Sequence, residues 1–117
     1  DNLNTFTDFE PLSDREKKII EEVNEVMFNS PLIGCTSCRY CCDGCPSEIN
    51  IPEVFRVLNT IRLYGEEWRS GNVYKVLTEK SGKAKDCIAC GQCESVCPQH
   101  LSIIDLLAEA SGHLDKE

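Results

Sequence analysis

The chain has 117 residues, 20 of them acidic and 12 basic, which gives a formal net charge of −8. This length suits one small domain with a modest hydrophobic core. The acidic balance argues against a nucleic-acid-binding or anionic-membrane surface, and no apolar run approaches the roughly 20 residues that a membrane-spanning helix needs. An acidic surface can steer the chain toward a basic partner, but it can equally serve solubility alone.

Residues 1–12 are polar and acidic, and they contain neither the cationic nor the apolar segment of a signal peptide. We therefore expect a cytoplasmic protein. The chain begins without Met, and we expect residues 1–12 to be an extended arm or linker from a missing preceding domain.

A helix is predicted over residues 13–29. Ser13 and Glu16 have the spacing of a capping box. The apolar residues that follow recur at helical spacing: Ile19, Ile20, Val23, Val26 and Met27. Pro31 lies just beyond the point where this pattern ends.

A second helix is predicted over residues 52–64, because Pro52 suits a first helical turn and an amphipathic stripe follows it. Residues 65–72 are expected to form a polar turn region around Trp68, and residues 73–77 a short helix.

The last predicted helix begins at Ser102, which with Asp105 resembles a capping pattern, and it ends at Gly112 as the first residue beyond the helix. No convincing strand pattern is present. We therefore expect an all-α fold in which an N-terminal helix precedes short helical segments.

Nine cysteines fall into two tight groups, and eight of them repeat one pattern. The first run is Cys35, Cys38, Cys41 and Cys45, followed by Pro46; the second is Cys87, Cys90, Cys93 and Cys97, followed by Pro98. Both read C-x2-C-x2-C-x3-C-P, which is typical of bacterial [4Fe–4S] ferredoxins. Gaps of two residues let three thiolates wrap one face of a cubane cluster, and the intervening N–H groups can point at its sulfur atoms.

The proline after each run directs the fourth cysteine away from that run. Proline takes the preceding residue out of the helical region and supplies no N–H donor. In two-cluster proteins of this pattern the fourth cysteine binds the other cluster. The expected ligands are Cys35, Cys38, Cys41 and Cys97 for the first cluster, and Cys87, Cys90, Cys93 and Cys45 for the second. This crossing holds the clusters close together and staples the two runs to each other.

Zinc is the main alternative, because C-x2-C pairs also bind zinc. The usual zinc ribbon, however, separates two such pairs by about 15–20 residues. Disulfides suit an odd and clustered set of cysteines poorly. Cys42 can replace Cys41 as the third ligand, but that register breaks the match between the runs; with Cys41 as ligand, Cys42 is expected to be a buried free thiol.

Three segments resemble the C-terminal dicluster ferredoxin domain of a branch of the aldo/keto reductase family: residues 9–17, 35–55 and 87–101. The resemblance covers almost the whole chain, and it implies an α-helical ferredoxin over residues 13–117, as in the iron–sulfur subunits of succinate dehydrogenase and fumarate reductase. Such enzymes act through a TIM barrel that carries the catalytic residues and the NADPH site. None of that barrel is present here, so no catalytic residue is predicted.

The leading hypothesis is an electron-transfer module with two [4Fe–4S] clusters. It passes single electrons to or from a partner oxidoreductase, which is the aldo/keto reductase barrel of the same native chain or an external carrier. A structural or docking domain stapled by its clusters, and an oxygen or redox sensor, are the alternatives.

Overall fold

The computed structural model describes residues 1–7, 9–65 and 67–116. Asp8 of the predicted arm, Glu66 of the predicted turn region and Glu117 at the C-terminus lie outside the described residues. The chain divides into two compact units, Asp1–Pro31 and Leu32–Glu117. The described residues form helices and one isolated β-bridge but no strand, so the predicted all-α class is confirmed.

The first unit contains α1 (Asn2–Thr7) and α2 (Asp14–Phe28). The prediction for α2 is confirmed: the Glu16 N–H donates to Ser13 Oγ at 3.4 Å, and the Ser13 N–H donates to the Glu16 carboxylate at 2.8 Å. Neither helix buries a residue, and the apolar stripe of α2 is exposed.

The expectation of an extended arm is wrong for residues 2–7, which are helical. The hydroxyl of Thr7 donates to the Leu3 carbonyl at 2.7 Å, and that of Thr5 donates to the Asp1 carbonyl at 3.2 Å. Both hydroxyls thus bond to backbone carbonyls four residues earlier in the chain, and the short helix buries no residue.

The second unit contains the two cysteine runs, five α-helices and one 3-10 helix in its described residues. They are α3 (Tyr40–Asp43), α4 (Ile51–Tyr64), α5 (Glu67–Leu77), the 3-10 helix (Ala84–Asp86), α6 (Gln92–Ser95) and α7 (Ile103–Leu114). No helix in the part of the chain that the structure describes is long and apolar enough to cross a membrane.

The two halves of this unit repeat the same backbone with an offset of 52 positions (87 − 35). Helix α3 corresponds to α6, and α4 to α7. The residues before α4 and α7 have nearly equal angles, since Asn50 has φ −79° and ψ 73° and Ser102 has φ −73° and ψ 74°. Left-handed residues also come in pairs: Ser37 (56°) with Ala89 (54°), Arg39 (68°) with Gly91 (77°), and Glu48 (51°) with His100 (49°). The repeat seen in the cysteines therefore extends to the whole local fold.

The core lies among α4, α5 and α7, which contact one another. Its buried side chains include Phe55 and Leu58 of α4, Tyr74 of α5, and Ile103 and Leu107 of α7. Burying each large apolar side chain contributes about 1.5–3 kcal/mol. This small core fixes α4 and α7, and so positions the cysteine runs that precede them.

Helix α5 is longer than predicted, because residues 67–72 are helical rather than a turn. Its buried Tyr74 anchors it: the phenol oxygen accepts the Ala84 N–H at 2.6 Å and donates to Asp115 at 3.1 Å. Burial raises the pKa of Tyr74, so the phenol stays neutral and can donate. The predicted end at Gly112 is also wrong, since α7 continues to Leu114.

Gly82 brings the segment before the second cysteine run against the segment after the first. Its N–H donates to the Glu48 carbonyl at 3.1 Å, and it forms an isolated parallel bridge with Ile49. A Cβ at position 82 would lie 1.9 Å from the Ser47 carbonyl oxygen and 3.1 Å from Ile49 Cγ1. Only glycine permits this contact between backbones.

We expect Gly82→Ala to destabilise the fold by about 1–3 kcal/mol or more, because the backbone must move to admit the methyl group. Gly112→Ala is the control: this glycine lies within α7 with open space at its Cβ, so alanine is expected to stabilise by about 0.5–1 kcal/mol. Thermal unfolding midpoints measure both. Equal shifts for the two variants would contradict the close approach at Gly82.

Arg62 and Glu109 join α4 to α7 by a two-pronged ion pair. Nε lies 3.1 Å from Oε1, and Nη2 lies 2.6 Å from Oε2. Hydrogen bonds from Arg62 hold the pKa of the Glu109 carboxyl below its ordinary value of 4.5. Both side chains are partly exposed, at 24% and 38%, so solvent screening limits the contribution to less than about 1 kcal/mol.

Because the folded-state pKa of Glu109 is depressed, its stabilising contribution is present above the unfolded-state pKa and is lost as the pH falls through the folded-state value. Glu109→Gln is therefore expected to be less stable than wild type near neutral pH, and the difference should shrink once the pH falls below the ordinary value of 4.5. Urea unfolding near neutral pH and below pH 4.5 measures the free energy of unfolding of both proteins and tests this. Glu53→Gln, which breaks a pair within α4 only, is the control, and a constant difference for Glu109→Gln would refute the assignment.

Candidate metal centre

Each cysteine run is an irregular loop that ends in one helical turn. In the first run the chain takes left-handed conformations at Ser37 and Arg39, on either side of Cys38. It then enters α3, which carries Cys41. These turns replace a regular helix, in which cysteines three apart would share one face, and they curl the loop around a common centre.

The chain reverses again after each fourth cysteine. The Glu48 N–H donates to the Cys45 carbonyl at 3.0 Å, and the His100 N–H donates to the Cys97 carbonyl at 3.1 Å. These turns lead from Pro46 and Pro98 into the approaches to α4 and α7. The fourth cysteine of each run is thereby directed away from the first three.

Two cavities of nearly equal size lie beside the runs, and each is lined by four cysteines. The first site, with an empty volume of about 330 Å³ that includes open solvent, is lined by Cys35, Cys38, Cys41 and Cys97. The second site, of about 320 Å³, is lined by Cys45, Cys87, Cys90 and Cys93. The structure thus brings the eight predicted ligand residues together in the crossed grouping that the sequence predicts.

The walls of both sites are mostly apolar. Ile51 lines both of them and is 1% exposed, so the two sites lie on either side of one buried side chain. Phe55 lines the first site and Leu107 the second, at equivalent positions of α4 and α7. Such walls exclude water and strengthen electrostatic interactions inside the site.

The donor set fits an iron–sulfur cluster. Four soft sulfur ligands in an apolar pocket select iron–sulfur clusters, zinc or Cu(I) over hard cations. Among the described residues, no group of three or more His, Cys, Asp or Glu side chains is arranged to hold one metal ion. The two observations are compatible, because a single zinc needs its sulfurs about 2.3 Å from one centre, whereas a cubane presents a separate iron to each of four thiolates.

Burial affects the protonation of two of the site-lining thiols, Cys41 and Cys93. It raises the pKa of Cys41 to about 12, with a further contribution from the neighbouring Cys42. Burial also raises the pKa of Cys93. These thiols are neutral at physiological pH without a bound cation, and metal binding must displace their protons.

Cys42, the ninth cysteine, is a free thiol that lines neither site; it is half-buried, so the expectation that it is buried is wrong. Its equivalent in the second half is Glu94, whose carboxylate accepts the Ile104 N–H at 2.9 Å and so caps α7. Pro52 is equivalent to Ile104 and has no N–H to donate. Position 42 therefore has no capping function and can hold a cysteine.

The predicted cap at Ser102 is also corrected by this contact. Ser102 occupies the N-cap position but makes no side-chain cap hydrogen bond. Glu94, which lies eight positions earlier on α6, supplies the acceptor instead. The spacing of Ser102 and Asp105 is a local pattern, whereas the side chain that accepts the Ile104 N–H comes from another helix.

Asn59 is a site-supporting residue that the sequence does not reveal. Its side chain accepts the Ile33 N–H at 2.8 Å and donates to the Ile33 carbonyl at 3.1 Å. This pair of bonds fixes the backbone two residues before Cys35 onto α4. Because the partners are 26 residues apart, no local pattern could have predicted the contact.

A family model for the 4Fe-4S dicluster domain matches residues 34–102, which is more than half of the chain. No curated protein and no solved structure matched the chain. The matched range contains both cysteine runs, α4 and α5, and therefore all eight cysteines that line the two sites. It indicates iron–sulfur clusters as cofactors and an electron-transfer role. The chain belongs to the 4Fe-4S dicluster domain family.

Proposed function

We propose that this chain is an electron-transfer module that holds two [4Fe–4S] clusters and exchanges single electrons with a partner oxidoreductase. The observation that carries the proposal is the pair of nearly equal, mostly apolar cavities, each lined by four cysteines. When bound, a cubane cluster supplies a one-electron redox couple. The family match supports this chemistry.

The proposed ligands follow the grouping of the thiols. Cys35, Cys38, Cys41 and Cys97 bind the first cluster, and Cys45, Cys87, Cys90 and Cys93 bind the second. The thiols lose their protons to bind iron. Ile51, which lines both sites, separates them by one side chain and keeps water from the space between them. This proximity suits electron transfer from one site to the other.

The proposed partner is an aldo/keto reductase barrel in the same native chain, or an external electron carrier. The support is the resemblance of residues 9–17 and of the two cysteine segments to the domain that follows such a barrel. The exposed apolar side chains of α2, including Ile19, Val23 and Met27, are available for contact with another domain. In this proposal the catalytic residues belong to the partner, and the cytoplasm keeps the thiols reduced.

Anaerobic reconstitution tests the function directly. We expect equal amounts of iron and acid-labile sulfide sufficient for two cubanes, together with reversible one-electron reduction at each site. Electron paramagnetic resonance of the fully reduced protein should show interacting spins, because the two sites are adjacent. Clusters that resist reduction until the protein unfolds would favour a structural role, cluster loss on mild oxidation with altered partner binding would favour a sensor, and stoichiometric zinc without iron would refute the proposal.

Paired cysteine substitutions test the crossed ligation. The double variant Cys35→Ala/Cys97→Ala removes two ligands of one proposed cluster, so it should keep half of the wild-type iron. The matched variant Cys87→Ala/Cys97→Ala removes one ligand from each cluster, so it should lose nearly all of it. Uncrossed ligation predicts the reverse pattern.

Cys42→Ala serves as the control for these double variants and should keep the full iron content, because Cys42 lines neither site. Loss of half of the iron in this control would instead favour the register in which Cys42 is the third ligand. Iron and sulfide analysis after anaerobic purification provides the measurement for all three variants.

A further inference from the structure

The two sites are nearly the same at equivalent positions, so their differences are informative. Besides the cysteines, the 52-position offset pairs Pro52 with Ile104, Phe55 with Leu107, Leu101 with Ile49 and Ile103 with Ile51, and all of these line a site. The apolar walls are therefore matched. The lining residues compared below, Arg39, Thr36 and Ile88, differ in polarity and are exposed.

Arg39 is the largest of these differences. It lines the first site. Among the described residues, no other Arg, Lys, Asp or Glu side chain lines either cavity. Its equivalent in the second half is Gly91, which has no side chain. Both residues have the same backbone conformation, with φ 68° and ψ 3° for Arg39 and φ 77° and ψ −4° for Gly91. The two loops thus differ here by one cationic side chain on an unchanged backbone.

The Arg39 side chain reaches toward the start of α4. Its Nη1 donates a long hydrogen bond of 3.4 Å to Asn50 Oδ1, at the start of α4. The equivalent of Asn50 is Ser102, whose shorter side chain precedes α7. A second polarity difference acts in the same direction, since Thr36 lines the first site where the apolar Ile88 lines the second.

Several other charged residues neighbour the sites in sequence. Asp43 lies two residues from Cys41 of the first site and two from Cys45 of the second, so it neighbours both sites alike. Lys85 and Asp86 precede Cys87 with opposite signs, so their effects on the second site oppose each other. Glu48 follows Cys45, which lines the second site, and Glu94 lies beside Cys93 of the same site. Both carboxylates make an added negative charge less favourable at the second site than at the first.

We propose that Arg39 makes the first site the more easily reduced of the two, so that an electron received at the second site passes to the first. This inference rests on the proposed function, including two clusters with crossed ligation. Reduction adds one negative charge to a site, and the guanidinium is always protonated. The cation stabilises that added charge and raises the reduction potential of the site that it lines. In the transfer the second site is oxidised by one electron and the first is reduced by one, with no proton or bond exchanged.

An anaerobic redox titration of the reconstituted protein at low ionic strength tests the proposal, with absorption and electron paramagnetic resonance as readouts. Wild type should show two midpoint potentials. Arg39→Gln should lower the higher midpoint potential. The expected loss is up to about tenfold in the reduction equilibrium constant of that site, which corresponds to about 59 mV for one electron. Arg39→Lys should largely retain it, and added salt should shrink the difference, since the side chain is exposed.

The internal repeat supplies a reciprocal variant. Gly91→Arg places the cation at the second site, and apart from its chain neighbours no atom lies within 4 Å of the Cβ position. Because Arg39 already adopts this conformation at the equivalent position, the loop should accommodate the arginine. This variant should raise the lower midpoint. Arg56→Gln removes an arginine on α4 that pairs with Glu53 and lines neither site, so both midpoints should stay in place.

Two outcomes overturn the inference alone: equal midpoints in a wild-type protein that holds two clusters with crossed ligation, or an Arg39→Gln variant with full iron content whose midpoints match those of Arg56→Gln. Absence of two clusters, or uncrossed ligation in the paired cysteine variants, instead refutes the proposed function and this inference with it. Iron content and double-variant patterns therefore separate the two kinds of failure.

Discussion

The exchange of the fourth cysteine between the two runs is the constraint on which the second unit depends. Cys45 leaves the first run and lines the cavity of the second, while Cys97 does the reverse. Neither run can complete a ring of four thiols alone. The small core among α4, α5 and α7 must therefore hold both runs in register, and Gly82 and Asn59 are placed where the backbone of one segment meets another.

Each site brings four thiols together in a mostly apolar cavity, where their thiolate forms are unfavourable without a cation. Burial keeps the thiols of Cys41 and Cys93 protonated in the absence of metal, as their raised pKa values indicate. A thiolate in an apolar pocket is stable only when a cation compensates it. Binding of a cluster would consequently be linked to folding, since its iron would supply the positive charge that the apolar walls do not. The same walls hold the solvent away from Ile51, which stands between the two sites.

The sequence predicts those features that depend on local patterns. Cysteine spacing identified the grouping of the thiols, the capping box marked the start of α2, and Pro52 with its apolar stripe marked α4. Features that depend on contacts between residues far apart in the chain could not be predicted from the sequence. Residues 67–72 include the poor helix formers Gly71 and Asn72, yet they are helical because Tyr74 anchors α5 to Ala84 and Asp115.

Capping and loop geometry show the same limit. Ser102 has the right residue type for a cap, but Glu94 provides the acceptor because α6 places its carboxylate at the start of α7. Arg39 gives no sign in the sequence of a left-handed conformation, which glycine normally favours. Comparison with Gly91 would have suggested it, once the repeat was extended beyond the cysteines.

The near-equality of the two halves also bears on how such a unit can be assembled. Each half carries three thiols for one cavity and one for the other, so two copies of a single half would supply the same two rings as a homodimer. That assembly would depend on protein concentration. Joining the halves through α5 makes the association intramolecular, at a fixed effective concentration, and frees each half to diverge, as Arg39 and Gly91 have.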